Sequence, residues 1–410
     1  MIEAGMGRRE RKKARTRQAI ADAALELFLE RGFDQVTVKD VAEAADVSMS
    51  GLFKHFPTKE SLVFDQEDDI RAGIASAVRD RPEGTSALQA LRAWLLHNTC
   101  QEAADPDTAA FLDLVAGTPA LSDYARRMWL GYEEELAEAI RQAGPDSPGA
   151  AIAARAVARF VLDRAQPWRR HDPRAELDAA FTLLADGWPA PELRSAPYDP
   201  PRTSVSGASP SPARPPGLRE RKKAQTRQAI TRAALELFTA RGYDDVGVRE
   251  IADAAGTSIA TLFAYFPDGK ASLVFPGDRA AHIAALVDAV HHRSPGQTVL
   301  RAIHDHMAER GPFAANRTPD EQRALDLIRA TPELSDYALH SWTAAQDALT
   351  TAIAHEAALS GDDLTARLLA RYTLQIPDLA NTTPDPRQAL DVITDLLEHG
   401  WPAGVTGPHR

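Results

Sequence analysis

Two runs of basic side chains in this 410-residue chain have the chemistry needed to bind phosphate groups. The first run is Arg8, Arg9, Arg11, Lys12, Lys13, Arg15 and Arg17, and the second is Arg219, Arg221, Lys222, Lys223 and Arg227. Only Glu10 opposes the first run locally, although the whole chain carries a net charge of −11. A basic end on an acidic body would orient the molecule toward a polyanion.

Charge runs of this kind are often no more than the solvated start of a helix. Cations are unfavourable at a helix N-terminus, because the helix dipole is positive there. Contact with the phosphates of a nucleic acid would offset this cost. The two runs therefore favour nucleic-acid contact over a merely solvated surface.

Each basic run precedes a stretch that predicts two short helices joined by a tight turn. In the first stretch, residues 37–59, Thr37 and Asp40 have the spacing of a capping box. Asp46 lies in the turn, where aspartate can adopt a left-handed backbone in place of glycine. Ser48 caps a second helix that ends before a proline. This is the helix-turn-helix pattern, whose second helix lies in the DNA major groove.

The whole pattern occurs twice in the chain. The helix-turn-helix stretch is repeated about 210 positions later, at residues 246–270. Farther along, TPALSDYA at 118–125 recurs as TPELSDYA at 331–338. ADGWPA near residue 188 likewise recurs as EHGWPA near residue 401. The protein is therefore predicted to consist of two tandem copies of one unit.

The remainder of each copy predicts helices alone, so the fold class is all-α with a tandem duplication. Prolines fall at the predicted helix edges, and no convincing alternating strands occur. Residues 189–217, between the copies, are rich in Pro, Ser and Gly and predict a linker. The predicted helices outside the helix-turn-helix stretches are 11–31, 58–78, 85–103, 107–117, 119–143, 147–166, 173–187, 271–292, 297–310, 319–330, 332–358, 362–376 and 384–399.

Composition limits the compartment in which the protein works. A single cysteine, Cys100, excludes an intrachain disulfide and fits a reducing cytosol. No apolar run is long enough to predict a membrane span, and the polar N-terminus lacks the apolar core of a signal peptide. We expect a soluble cytoplasmic protein.

The segment RTRQAIADAALELFLERGFDQVTVKDVAEAADVSMSGLFKHFPTKESL and its second copy resemble the tetracycline-repressor (TetR) family of bacterial regulators. The resemblance implies a three-helix DNA-binding head and a helical body with a ligand pocket. Family members are usually homodimers paired through the last two body helices. Here both protomers would lie in one polypeptide, as a monomeric pseudo-dimer. The implied division is heads at 1–60 and 218–270, bodies at 61–188 and 271–402, and a linker at 189–217.

The resemblance also assigns DNA-binding roles by position. Lys39 and Arg249 match a second-helix position that can reach a base edge, and His55 and Tyr265 match a phosphate-contacting aromatic position. Together with the basic runs, the candidates are Arg9, Arg11, Lys12, Lys13, Arg17, Thr37, Lys39, Ser48, Met49, Ser50, Gly51, Phe53, Lys54, His55, Lys59, Arg219, Arg221, Lys222, Lys223, Arg227, Arg249, Ser258, Ile259, Ala260, Thr261, Phe263, Tyr265 and Lys270.

Two features depart from the family pattern. The common Thr-Leu-Tyr of the recognition helix is Gly-Leu-Phe at 51–53 and Thr-Leu-Phe at 261–263, so both heads lack a tyrosine hydroxyl. That puts one family phosphate contact in doubt in each head. Gly269 is an extra residue before Lys270, which would shift a lysine that touches phosphate in the family.

The bodies resemble the family type that binds acyl-CoA-like ligands, which implies an apolar or acyl-type small molecule. The candidate ligand-binding residues are Trp94, Phe111, Trp129, Tyr132, His304 and Trp342. Aromatic residues at helical spacing more often belong to the core than to a pocket. The pocket is therefore an implication of the resemblance.

The sequence gives weaker indications of a metal site or an enzyme active site than of DNA binding. His304 and His306 flank Asp305, but helix positions two apart point to different sides. The pair His291–His292 is weaker still, and neither pair has a Cys partner or HExxH-type spacing. No phosphate-binding loop, GxSxG elbow or catalytic triad at a known spacing is present. We expect no bound metal, no cofactor and no enzymatic activity.

The sequence thus predicts a DNA-binding transcriptional regulator, a repressor that a small molecule releases from an asymmetric operator. Two alternatives remain open. One is a ligand-independent DNA-binding or architectural protein, and the other is an enzyme or small-molecule-binding protein on a relic regulator scaffold.

Overall fold

The computed structural model describes residues 8–100, 106–164, 172–188, 218–275 and 279–401. Within these ranges the chain forms α-helices with short 3₁₀ and π segments and no strand, which confirms the all-α prediction. None of these helices has the length and apolar character of a membrane span. The predicted linker, 189–217, lies outside the described residues.

The described residues divide into two compact units, one within 1–187 and 400–410 and the other within 188–399. The helices of the first unit are α1 Arg8–Arg31, α2 Val38–Ala44, α3 Met49–His55, α4 Glu67–Arg79, α5 Ala87–Leu95, α6 Pro106–Gly117, α7 Pro119–Leu130, α8 Glu133–Ala143, α9 Ala150–Arg164 and α10 Pro173–Asp186. Those of the second unit are α11 Leu218–Arg241, α12 Val248–Ala254, α13 Ile259–Tyr265, α14 Arg279–His291, α15 Val299–Ala308, α16 Pro319–Ala330, α17 Pro332–Thr343, α18 Gln346–Glu356, α19 Leu364–Asn381 and α20 Pro386–His399.

The first head packs around one stripe of α1. Ile20, Ala24 and Phe28 recur every four residues and are fully buried. The second head repeats the stripe with Ile230, Ala234 and Phe238, whose cluster also takes in residues of α16 and α17. In the second unit, the core of the head is therefore continuous with body helices α16 and α17.

The turn between α2 and α3 forms as predicted. The Thr37 hydroxyl accepts from the Asp40 amide at 3.2 Å, and Asp40 accepts from the Thr37 amide at 2.8 Å. Asp46 adopts φ +51°, and Gly256 takes φ +65° at the matching position of the second unit. The left-handed residue lets both copies make the same turn, although only one has glycine there.

The prediction of a long helix from residue 58 was wrong. A 3₁₀ turn covers Glu60–Leu62, and α4 begins only at Glu67. Leu62, Val63 and Phe64 are consecutive and all buried. A continuous helix would place such neighbours on different faces, so the chain breaks to bury them together. The second unit also replaces the start of its predicted 271–292 helix with a 3₁₀ segment, Lys270–Val274.

Other helix boundaries also differ from the predictions. The predicted helix 119–143 is two helices separated at Gly131–Tyr132, and 332–358 is likewise interrupted between α17 and α18. The apolar period continues across both breaks, so periodicity could not reveal them. Conversely, α19 continues through Pro377, because Leu379 and Ala380 beyond it are buried and packing holds the turn.

Candidate nucleic-acid interface

The recognition helix α3 is anchored from beneath and presents its other face outward. Ser48 caps it by accepting from the Gly51 amide at 3.1 Å. Leu52 and Phe56 are fully buried in the head. Met49 and Phe53 are 39% and 47% exposed, and Ser50 and Lys54 are exposed beside them.

The recognition helix α13 has the same anchoring but a different outer face. Ser258 caps it through the Thr261 amide at 3.1 Å. Phe263 is 43% exposed and Ala264 is exposed, whereas Ile259 is partly buried against the core of the head. The two heads thus offer the same helix position with different chemistry.

Large exposed apolar side chains concentrate on these two faces. Among the described residues, those with large exposed apolar side chains are Leu29, Met49, Phe53, Phe263 and Leu359. Three of the five lie on α3 or α13, where none of the described residues covers them. Exposed apolar groups of this kind mark contact surfaces, and in a major groove they can meet the thymine methyl group.

The exposed residues of the two basic runs lie near the N-terminal ends of α1 and α11. Arg9, Arg11, Lys12 and Lys13 are exposed on α1, which begins at Arg8, three residues before the predicted start. Lys222 and Lys223 are exposed on α11. The side chains of Arg219 and Arg221 lie outside the description.

Arg17 has a different position from the other basic residues of its run. Its guanidinium donates to the His55 carbonyl at 2.7 Å and to the Asp65 carbonyl at 3.1 Å. It also stacks 4.3 Å from the centre of the Phe56 ring. Arg17 therefore caps the C-terminal end of the recognition helix, where a cation also complements the helix dipole.

Arg227 repeats this arrangement in the second head. It donates to the Tyr265 carbonyl at 3.1 Å and stacks 4.5 Å from the Phe266 ring centre. The sequence grouped Arg17 and Arg227 with the phosphate-binding run. In this conformation both guanidinium groups are directed into the head.

Lys59 and Lys270 are held equivalently despite the inserted glycine. Lys59 donates to the Phe33 carbonyl at 2.6 Å and lies 4.1 Å from that ring centre. Lys270 lies 4.1 Å from the ring centre of Tyr243, the matching aromatic residue. Gly269 absorbs the insertion at φ +86°, a backbone conformation that glycine adopts without strain. The expected shift of Lys270 does not occur, and the phosphate contacts of both lysines stay predictions.

His55 and Tyr265 occupy the end of each recognition helix. Burial, with the charges of Lys13, Arg17 and Lys54, lowers the pKa of His55 below its ordinary value. Its Nδ1 atom is buried without a hydrogen-bond partner among the described residues. Tyr265 packs partly against the core of its head. An imidazole that is neutral near pH 7 would contact phosphate as a hydrogen-bond donor without adding charge.

The base-edge candidates on the second helices lie at the surface. Lys39 is exposed and forms an i,i+4 ion pair with Glu43 at 3.4 Å, a contact weak enough to exchange for DNA. Arg249 is exposed at the matching position of α12. Thr37, by contrast, uses its hydroxyl to cap α2, and its hydrogen bonds hold the pKa of Asp40 below the ordinary value.

The predicted ligand-binding residues separate into different surroundings. Trp129 and Tyr132 are buried with ring centres 5.6 Å apart, and the indole Nε1 of Trp129 has no hydrogen-bond partner among the described residues. Phe111 lies instead against Phe64, at 6.1 Å. Trp94 packs on Gly73 of α4, so closely that a methyl group there would lie 3.0 Å from the indole.

In the second unit, His304 has a structural position. Its ring nitrogens lie 2.9 Å from Asp305 and 2.7 Å from Asp391, so it joins α15 to α20. Trp342 faces His282, with ring centres 6.1 Å apart. A shallow depression of about 340 Å³ lies beside His306, but the six predicted ligand residues are not among those that line it. Burial and the charges of Arg310 and His282 lower the pKa of His306 to about 4.

The family model described as bacterial regulatory proteins, tetR family, matches residues 20–65 and 230–275, one match in each head. Over 131 residues, 30% of this chain, the sequence is 37% identical to the HTH-type transcriptional regulator TcmR of Streptomyces glaucescens. Over 62 residues, 15% of the chain, it is 43% identical to the HTH-type transcriptional repressor KstR2 of Rhodococcus jostii.

These matches span 58% of TcmR and 28% of KstR2. Among solved structures, NalD, the secondary repressor of the MexAB-OprM multidrug efflux pump in Pseudomonas aeruginosa, is 22% identical with a TM-score of 0.30. That match covers 42% of this chain and 93% of NalD.

Two heads of three helices, each with an anchored and outward-facing recognition helix, define a tandem helix-turn-helix protein. The chain contains the DNA-binding domain of the TetR family twice, and it is similar in sequence to transcriptional regulators such as TcmR. This confirms the resemblance drawn from the sequence.

Proposed function

We propose that the protein is a transcriptional repressor that binds an asymmetric DNA operator through its two heads and is released by a small molecule. The observation that carries the proposal is the pair of recognition helices, buried on one face and exposing Met49, Phe53 and Phe263 on the other. TcmR and KstR2, which the chain resembles, are named as a regulator and a repressor of transcription.

The exposed surfaces of the N-terminal helices and of the recognition helices have different roles in binding DNA. The basic first turns of α1 and α11 supply phosphate contacts, which provide most of the affinity and a steep dependence on salt. The outer faces of α3 and α13 read base edges and thymine methyl groups. Two heads on one operator would occupy successive major grooves about 34 Å apart.

Contacts that reach the head, or the helix directly after it, offer a route for release. In the first unit, the Tyr132 hydroxyl donates to the Glu67 carbonyl at 3.1 Å, and Tyr124 donates to the Glu67 carboxylate at 3.1 Å. Glu67 is the first residue of α4, the helix that follows the head. A ligand that pairs with the buried indole of Trp129 would act on this contact. Such a ligand must bind the DNA-incompetent state more tightly than the DNA-competent state to shift the equilibrium between them.

The second unit offers a similar route. Tyr337 of α17 donates to Asp268 at 3.0 Å, and Tyr243 of the head donates to Glu333 at 2.8 Å.

The proposed division places the heads at 1–60 and 218–270, the bodies at 61–188 and 271–402, and the linker at 189–217. An apolar or acyl-type ligand fits the resemblance of the bodies.

The test combines selection of duplexes from random DNA with binding measured over a salt series. We expect log affinity to fall linearly with log salt concentration, with a slope of about −0.9 for each phosphate neutralised. Replacing the exposed Lys12 and Lys13 with alanine should make the slope shallower by about two. Arg323→Ala removes an exposed arginine of α16, outside the heads and the proposed pairing surfaces. It is the matched control and should leave the slope unchanged.

Absence of salt-sensitive duplex binding would overturn the proposal and favour a small-molecule-binding protein on a relic scaffold. Palmitoyl-coenzyme A serves as the first acyl-type probe, and loss of the DNA complex on its addition would support release. A complex that no apolar ligand disturbs would favour the architectural alternative.

The protein should be a monomer in solution, with its two copies paired inside one chain. The proposed pairing surfaces are the last two helices of each body, near 147–187 and 362–399. A tether makes this pairing intramolecular, at an effective concentration on the order of millimolar. Light scattering across a dilution series should give a constant mass of 44.5 kDa. A mass twice as large that falls on dilution would contradict the prediction.

A further inference from the structure

Three potential metal ligands meet where α14 and α18 end in the second unit. The Nδ1 atom of His291 lies 3.1 Å from Glu356 Oε1, and that of His355 lies 3.2 Å from the same oxygen. The two imidazole rings are 5.6 Å apart and nearly perpendicular. One ligand atom from each of the three residues lies within 4.8 Å of the other two.

These distances are close to those of a coordination sphere. Zinc binds imidazole nitrogen and carboxylate oxygen at about 2.0–2.2 Å, so neighbouring ligands of a tetrahedral site lie roughly 3.4 Å apart. The two nitrogen–oxygen distances need to lengthen by only a few tenths of an ångström. Two imidazoles and one carboxylate form a ligand set suited to zinc, cobalt or nickel, and leave further positions to water.

The carboxylate of Glu356 is already orientated to bind a metal ion. Arg293 donates to Glu356 Oε2, which leaves Oε1 facing the two histidines. Arg293 is itself held by the carbonyls of Gln297 and Val290, at 3.1 and 3.2 Å. Outer hydrogen bonds of this kind orientate metal-binding carboxylates.

The first unit lacks these ligands at the matching positions. There Arg79 replaces His291, and Gln142 and Ala143 replace His355 and Glu356. The supporting arginine is kept, since Arg81 donates to the Val78 and Thr85 carbonyls at 2.8 and 3.0 Å. The turn is thus common to both copies, whereas the ligand set belongs to the second copy alone. A structural need of the turn cannot explain the three ligands.

We propose that His291, His355 and Glu356 bind one divalent transition-metal ion, with zinc as the representative, and join α14 to α18. Both histidines bind the ion through Nδ1. This proposal is independent of the proposed function, because it concerns the body of the second unit and needs no DNA.

The test uses the untagged full chain, stripped with a chelator and titrated with zinc chloride in a calorimeter. We expect one ion per chain, and a higher unfolding temperature with zinc because the ion binds the folded state. Cobalt chloride is a second probe, whose visible absorption reports nitrogen and oxygen ligands. His355→Gln and His291→Arg install the residues of the first copy and should each weaken binding at least tenfold.

His292→Asn is the matched control, because His292 is the next residue but pairs with Asp288 on the exposed side. It should leave zinc binding unchanged. The His355 side chain is 44% exposed, so His355→Gln keeps the fold and reports on the ligand alone. No stoichiometric zinc binding, or unchanged binding in His355→Gln and His291→Arg, would overturn the proposal.

Discussion

Replacing Arg17 with alanine should loosen the recognition helix of the first head by roughly 2–3 kcal/mol. The variant loses two hydrogen bonds from a charged donor and a stacked guanidinium, and leaves the carbonyl ends of α3 without this cap. Hydrogen–deuterium exchange of the amides of Leu52–Phe56 should accelerate by about 30- to 150-fold, since 1.4 kcal/mol corresponds to a factor of ten. Operator affinity should fall with it.

Arg15→Ala is the matched control for this prediction. Arg15 lies two residues away on the same helix and is exposed. Its removal should weaken DNA binding and change its salt slope, while the exchange of α3 stays as in the wild type. Arg227→Ala should repeat the loosening in α13 and leave α3 unchanged. If Arg17→Ala and Arg15→Ala had the same effect on exchange, the capping role would be wrong.

The operator should have two dissimilar half-sites, with the protein bound in one orientation. A homodimer presents identical helices and favours palindromes. Here the outer face of α3 carries Met49 and Lys54, whereas α13 carries the partly buried Ile259 and the short Ala264. Lysine can donate to guanine or to phosphate, and alanine can do neither.

Lys54→Ala should cost about 1–3 kcal/mol at one half-site if the lysine reads a base. If the lysine holds phosphate, the loss should be uniform across sequences, with a shallower salt slope. Ala264→Lys is the reciprocal variant and should bring the preference of the second half-site toward that of the first. Affinity for each half-site is measured on duplexes in which the other half-site is scrambled.

Exchange of the whole outer face gives a stronger test. Placing isoleucine, alanine, threonine and alanine at positions 49, 50, 51 and 54 copies α13 onto α3. The chimaera should prefer a palindrome of the second half-site, with Lys39→Arg added to match Arg249. Selection of a perfect palindrome by the wild-type protein would show that the differences between the recognition helices do not affect readout.

The helix-turn-helix could be predicted from sequence because local interactions determine it. The capping pair Thr37 and Asp40, the left-handed Asp46 and the cap Ser48 each act within four residues of their partners. The duplication could also be predicted, since detecting it requires only an alignment of the two halves of the sequence. Helix ends were less accurate, because breaks such as Gly131–Tyr132 depend on what packs beneath them.

The roles of individual polar residues depended on tertiary structure. In sequence, Arg15 and Arg17 are two arginines of one basic run. In the folded chain, Arg17 donates to the carbonyls of His55 and Asp65, which are 38 and 48 residues away in sequence. Arg15 remains exposed. The sequence determined the all-α duplication and the DNA-binding heads, because periodicity and capping are local. The tertiary structure brought His291 to His355 and Glu356, because residues more than 60 positions apart meet only when α14 packs on α18.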